Sequence, residues 1–230
     1  MIFAGIVKTS LIDYPGQIAT VLFTPGCNFN CFYCHNRSLT EDFPQIISTE
    51  EIESYLRKRI GLIDGVVITG GEPTLHQDLP DYFRFLKQLG YLTKLDTNGS
   101  SPEMLKTLID QCLLDYVAID YKAPKAIYQR YCRGEADPDK VLTSINLLLE
   151  SQLAFEVRTT VFPQLTQEDL IAMAEEIPIV PRYILNPYQK PLYYLPEDQE
   201  WIDSPPYTET EIRAFQETLK LYQPNVVLSF

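Results

Sequence analysis

The sequence predicts an α/β fold built as a partial barrel of parallel strands, about six β/α units open on one side. Three observations carry this. Short apolar runs alternate with amphipathic stretches from residue 18 onward. Several of the runs are apolar without alternation, as expected for strands buried on both faces. The 230 residues also fall short of the roughly 250 that a closed eightfold barrel typically needs. Parallel strands joined through helices imply right-handed crossovers. The length suits one domain spanning 1–230, large enough to bury roughly 70% of its unfolded surface.

The strands are expected at Ile18–Phe23, Val66–Thr69, Leu92–Asp96, Tyr116–Asp120, Phe155–Val161, Tyr183–Leu185 and Val226–Phe230. The first helix, Glu50–Ile60, opens on a capping box from Ser48 to Glu51 and sets Ile52, Leu56 and Ile60 on one face. Further helices are expected at Leu79–Leu89, at Pro102–Cys112 behind Ser101, at Asp139–Glu150 and at Gln167–Glu176. The last, Glu209–Tyr222, follows a second capping pair, Thr208 and Glu211. In barrels of parallel strands the reactive groups gather at the carboxyl ends. Here those ends carry a cysteine loop, Gly70-Gly71-Glu72-Pro73, Asp96-Thr97-Asn98-Gly99, Asp120-Tyr121-Lys122, Arg158 and Asn186-Pro187-Tyr188-Gln189. The Pro- and Tyr-rich stretch 186–207 is long enough for a lid or docking loop, or for a wrapper over the scaffold.

Composition narrows the partners. Net charge is -12, with 31 acidic against 19 basic residues, so nucleic acid is a poor partner, because neutralising phosphates dominates that kind of affinity. No signal-peptide pattern and no apolar run near 18 residues is present, and the five cysteines are an odd number. A reducing cytosol without membrane association is the expected setting.

The cysteine loop, residues 24–36, is the most informative segment. Cys27, Cys31 and Cys34 lie within eight residues, and no fourth cysteine is near. Closed zinc sites and the usual ferredoxin runs take four protein ligands, so three thiolates leave one metal position open. A zinc or iron site completed by His35 is the plainer alternative. Cys112 and Cys132 show no ligand spacing and read as buried or spectator thiols, and His76 reads as a loop residue. Lys122 and Arg158 taken singly would be ordinary solvated charges; their places at strand ends argue otherwise.

The three-then-two spacing, with Tyr33 before the last cysteine, resembles the cluster loop of the radical S-adenosylmethionine (SAM) enzymes. The resemblance implies a 4Fe-4S cluster held by Cys27, Cys31 and Cys34, with SAM chelating the remaining iron, and a fold that is the partial (β/α)6 TIM-type barrel of that class. Gly70, Gly71 and Glu72 then match the segment lining the SAM amino group. Together with Cys34-His35-Asn36-Arg37, Leu95 to Gly99, Asp120-Tyr121-Lys122 and Val157-Arg158, the chain resembles the activases of glycyl radical enzymes. Its opening, Gly5 to Gly16, is similar to the branch that activates the anaerobic ribonucleoside-triphosphate reductase.

By position, the resemblance implies that Asp120 and Lys122 contact SAM and Arg158 its carboxylate end, and that Asp96, Thr97 and Asp120 could hold a monovalent cation. Asp13 falls where such an activase keeps an aspartate near the incoming glycine. Gln189 replaces a histidine near the ribose; it can hydrogen-bond but cannot titrate near neutrality. No cysteine-rich insertion follows, so no auxiliary cluster is expected. The function implied is transfer of an electron from a reductant such as flavodoxin, cleavage of SAM, and hydrogen abstraction from a glycine of a partner enzyme. Two other readings stay open. One is a radical SAM enzyme acting on a small molecule, such as a 7-carboxy-7-deazaguanine synthase. The other is a non-enzymatic iron-sulfur or zinc module.

Overall fold

A computed structural model of the chain describes residues 1–40 and 45–230. Hydrogen-bonded strands follow one another in chain order, β1 (Gly5–Ser10) to β8 (Val226–Leu228), and the sheet is open because these two stand at its ends. The residues group into two compact units. The first holds Met1–Cys27, Asn36–Thr97 and Ser101–Ala118; the second holds Asn28–His35, Asn98–Ser100 and Ile119–Phe230.

In the first unit β1 runs antiparallel to β2 (Ala19–Thr24), with Gly5 opposite Phe23 and Ser10 opposite Ala19. β2 pairs in parallel with β3 (Gly65–Gly70), and β3 with β4 (Leu92–Thr97). β1 is absent from the sequence expectation for a physical reason. It is an edge strand whose Val7, Lys8 and Thr9 are exposed, so it lacks the apolar run that marks the others. One short helix, α1 (Arg37–Thr40), follows the cysteine loop. α2 (Thr49–Lys58) starts as expected on Ser48, whose Oγ accepts from the Glu51 amide at 3.2 Å. Its hydroxyl donates to Glu50, and the return bond of a capping box, from the Ser48 amide to the Glu51 side chain, is not formed. Ile52 and Leu56 are buried, but the helix stops before Ile60, which is exposed. α3 (Leu79–Gln88) and α4 (Pro102–Asp110) bury Phe83, Leu86, Leu105 and Leu108. An apolar cluster joins Tyr14, Ala19, Val21 and Val67 with Phe23, Leu92 and Tyr116.

β5 (Tyr116–Asp120) begins in the first unit and ends in the second. There, α5 (Tyr128–Cys132) and α6 (Pro138–Glu150) precede β6 (Ala154–Val161), and α7 (Gln167–Glu176) precedes β7 (Tyr183–Pro187). β6, β7 and β8 pair in parallel, with Val157 opposite Tyr183 and Tyr183 opposite Val226. α7 and α9 (Glu209–Leu219) each open on a complete capping box, Thr166 with Asp169 and Thr208 with Glu211. The stretch 186–207 contains α8 (Gln199–Ile202) and is fastened to its unit by a buried ion pair of Asp198 with Arg133 and by Gln164, which donates to the Trp201 carbonyl at 3.0 Å. Leu192 and Tyr193, before this anchor, are exposed. Among the described residues no helix is long and apolar enough to cross a membrane.

Candidate functional site

In the first unit, the end of β2 and the start of the cysteine loop are held by the Gly70-Gly71-Glu72 turn through backbone alone. The Gly71 amide donates to the Thr24 carbonyl and the Glu72 amide to the Gly26 carbonyl, both at 2.8 Å. Asn36 Nδ2 donates to the Gly70 carbonyl, also at 2.8 Å, and the Gly26 amide donates to Leu39 at 2.9 Å. Both glycines are obligatory here. A Cβ at Gly71 would sit 1.8 Å from the Gly26 oxygen, and Gly70 has φ +119 with a Cβ position 2.4 Å from the Thr24 nitrogen.

The Glu72 carboxylate is fully buried. Its Oε1 accepts from the Thr74 amide at 3.0 Å, the Thr74 hydroxyl at 2.6 Å and the Thr97 hydroxyl at 2.7 Å. It therefore caps the turn after β3 and fastens it to the end of β4, a task the sequence did not disclose. Two residues before Thr97's neighbour Asp96, Lys94 is 1% exposed; its ammonium pairs with Asp96 and lies 5.9 Å from the Tyr116 ring centroid.

Asp13 lies elsewhere in this unit. Ser10 Oγ donates to its carboxylate and accepts from the amides of Ile12 and Asp13, both at 3.2 Å, which fixes the turn after β1. Because Ser10 faces Ala19, this turn sits at the amino ends of the parallel strands, and the Tyr14 ring lies 3.0 Å from where a Gly65 Cβ would be. Gly65 and Gly70 bound β3, so Asp13 is about 17 Å, one strand length, from the Gly-Gly-Glu turn. The structure does not bring Asp13 to the Gly70-Gly71-Glu72 turn.

In the second unit, the rest of the cysteine loop lies along the end of α5 and the residues just after it. The Asn30 amide donates to the Cys132 carbonyl at 2.8 Å, Phe32 to Tyr131 at 3.4 Å, and Glu135 to Asn28 at 2.8 Å. Gly134, at φ +61, makes room for the last contact, since a Cβ there would be 2.4 Å from the Asn28 oxygen. The Asn28 side chain donates to Ser100 Oγ and accepts from Asn98 Nδ2, both at 3.0 Å. The Asp-Thr-Asn-Gly motif thus divides its work: Thr97 fastens Glu72, and Asn98 holds the cysteine loop. Phe32 packs against Tyr33, Phe162, Tyr131 and Trp201, with centroids 5.1–5.9 Å apart. The Tyr33 hydroxyl is buried without a hydrogen-bond partner among the described residues, and burial pushes its ionisation up.

At the end of β5, Lys122 Nζ meets Asp120 Oδ2 at 2.9 Å and Arg158 Nε meets Oδ1 at 3.1 Å. Burial alone would raise the Asp120 carboxyl, but the charges of Lys122 and Arg158 outweigh it and hold it at about 2. The folded value is below the ordinary value of about 3.9, so the stabilisation is complete above about pH 4 and is lost as pH falls through about 2. Asp120→Asn is therefore expected to lower stability at neutral pH, with the gap to the native chain closing as acid unfolding is followed toward pH 2. A gap that stays constant over that range would contradict the assignment. Gln189 is exposed just past β7, and His35, the candidate fourth ligand of a zinc site, is also exposed.

All five cysteines are thiols; Cys31 and Cys132 are buried, Cys27 and Cys34 partly so, and Cys112 exposed. Among the described residues no three His, Cys, Asp or Glu side chains are already gathered in metal-ligand geometry. The three clustered cysteines are instead presented by one loop whose backbone is fixed on either side. A family model of the radical SAM superfamily matches residues 21–177. The chain belongs to the radical SAM superfamily. It is 35% identical, over 98% of its own length and 94% of the relative's, to a protein of Methanocaldococcus jannaschii described as a glycyl-radical enzyme activating enzyme.

Among solved structures it is similar to SuiB of Streptococcus suis bound to S-adenosylmethionine, with TM-score 0.65, 17% identity, and 90% of this chain and 51% of that one covered. It is also similar to a domain of the pyruvate-formate lyase-activating enzyme of Bacteroides vulgatus, with TM-score 0.55, 20% identity, and 72% and 98% covered. These two likenesses concern the fold. The open α/β sheet is the partial barrel that the sequence leads one to expect of a radical SAM enzyme, and the superfamily's chemistry employs a 4Fe-4S cluster and SAM.

Proposed function

We propose that this radical SAM enzyme is an activase that generates a glycyl radical on a partner enzyme, with anaerobic ribonucleoside-triphosphate reductase as the candidate target. The observation that carries the reading is the 35% identity, across 98% of the chain, to a protein described as a glycyl-radical enzyme activating enzyme. Cys27, Cys31 and Cys34 would hold the 4Fe-4S cluster. The donor set fits: three thiols on one loop leave a single iron for SAM. Bound there, cluster and SAM supply one-electron cleavage of the sulfonium and the hydrogen abstraction that leaves a radical on the partner's glycine. Electrons come from a flavodoxin-type reductant.

The chain's own residues position and exclude. Tyr33, packed on Phe162 with centroids 4.8 Å apart, keeps water from the loop. Gly70, Gly71 and Glu72 offer peptide groups to the SAM amino group, while the Glu72 carboxylate acts through the turn it caps. Lys122 and Arg158 receive the methionine carboxylate, with Asp120 as the counter-charge that orients them. Gln189 hydrogen-bonds the ribose. A monovalent cation at Asp96, Thr97 and Asp120 would share Asp96 with Lys94, and Asp120 with Lys122 and Arg158. A partner segment that meets both Asp13 and the Gly-Gly-Glu turn must lie along the first unit's strands for about 17 Å, about five extended residues.

Arg158→Ala is expected to weaken SAM binding about tenfold or more, as loss of a charge-assisted contact worth about 1.5–3 kcal/mol implies, while the cluster's absorption spectrum stays unchanged. Gln189→Ala removes only neutral hydrogen bonds, about 1 kcal/mol each, and should weaken it less. Equal SAM affinity in native and Arg158→Ala protein would remove Arg158 from the carboxylate. The function itself is tested by counting turnovers anaerobically. An activase consumes about one SAM per target glycine and stops; a small molecule that alone sustains repeated SAM cleavage would favour the small-molecule radical enzyme.

A further inference from the structure

Cys132 is not one of the three clustered cysteines, yet it is wholly buried and lies directly against the cysteine loop. Three backbone hydrogen bonds set this juxtaposition: Asn30 to Cys132, Phe32 to Tyr131, and Glu135 to Asn28. They flank Cys31 on both sides. Gly134 permits the close approach, and Arg133, at φ +50, is held there by its ion pair with the buried Asp198. With the backbones so registered, the two buried thiols lie within hydrogen-bond reach of each other.

The direction of that contact follows from the ligand reading. A thiolate bound to iron carries no proton and can only accept, so the Cys132 thiol is the donor and the Cys31 sulfur the acceptor.

We propose that Cys132 is a positioning and tuning residue for the cluster: its S–H···S bond to Cys31 sets the cluster's reduction potential. This rests on the reading of Cys27, Cys31 and Cys34 as ligands. A hydrogen bond to a ligand sulfur withdraws electron density from it, and such bonds are among the determinants of iron-sulfur potentials. The reduced cluster carries more negative charge, so the donor stabilises it more than the oxidised form. Cys132 makes the cluster easier to reduce.

The test is the midpoint potential of the anaerobically reconstituted full chain, read by a redox titration followed by electron paramagnetic resonance, in three variants. Cys132→Val keeps volume and removes the donor. Cys132→Ser keeps a donor, and Cys132→Ala serves if the valine variant does not fold. The valine or alanine protein is expected to shift to a more negative potential, about 59 mV if the reduced-to-oxidised ratio falls tenfold at fixed potential. The serine protein is expected to return toward the native value. An unchanged potential in the donor-less variants, or the same shift in all variants, overturns the proposal. Loss of iron from a folded serine variant also overturns it, because Cys132 would then be a ligand. Native protein that takes up no iron speaks instead against the three-thiolate reading on which the proposal stands.

Discussion

Gly71→Ala is expected to leave a folded chain that no longer retains iron. The added methyl would sit 1.8 Å from the Gly26 carbonyl oxygen, far inside contact distance, and the obstacle is backbone, not a side chain able to rotate away. Either the Glu72 amide loses Gly26 or the segment carrying Cys27 is pushed off the turn. Overpacking of this kind typically costs about 1–3 kcal/mol, which a domain of typical stability survives. The local displacement is what matters for a ligand one residue from Gly26. Iron content after anaerobic reconstitution should fall from about four per chain to below one, with circular dichroism preserved. Gly90→Ala is the control, since nothing lies within 4 Å of a Cβ there, although its φ of +85 adds a backbone strain that Gly71 does not have. If the Gly71→Ala protein binds iron as well as the Gly90→Ala protein does, the turn is not the clamp.

The second large effect is expected at Arg133. Its guanidinium forms two hydrogen bonds with the two oxygens of Asp198, whose side chain is 0% exposed. Removing one partner of a buried ion pair strands the other charge, and typical losses are about 3–5 kcal/mol. Arg133→Met should therefore destabilise by about that much in chemical denaturation. Adding Asp198→Leu should recover most of it, because no charge is then left buried. A single variant that unfolds like the native chain would mean that Asp198 reaches water. The pair also anchors the segment carrying Trp201, whose ring stacks edge-on against Phe32 of the cysteine loop at 5.1 Å. Loss of the pair should loosen that loop as well.

These two cases show what the sequence made legible. The local signals read well: Thr208 with Glu211, Ser48 ahead of α2, and the apolar runs within β2, β3 and β5 all depend on neighbours a few residues away. What did not read were contacts between distant positions. Asn28 with Asn98 and Ser100, Arg133 with Asp198, and Cys132 with Cys31 join residues whose spacing carries no pattern. The structural task of Glu72 was not legible either: its Oε1 accepts from the Thr74 amide and from the hydroxyls of Thr74 and Thr97, and no spacing pattern announces the last of these. The place of Asp13 was not legible, because the antiparallel β1, an exposed edge strand without an apolar run, decides which end of the sheet its turn occupies.

If three thiolates of this chain support radical transfer to a glycine of a partner, the radical itself should be detectable on that partner. The most direct measurement is electron paramagnetic resonance of reduced, reconstituted protein incubated anaerobically with SAM and an anaerobic ribonucleotide reductase. A glycine-centred doublet is expected on the reductase. It should be absent when the target glycine is changed to alanine, and absent with Cys31→Ala, which should hold no cluster. A doublet produced equally well by Cys31→Ala would contradict the cluster assignment. Silence from cognate reductase and other glycyl radical enzymes, while the native protein cleaves SAM with a small molecule alone, would contradict the activase.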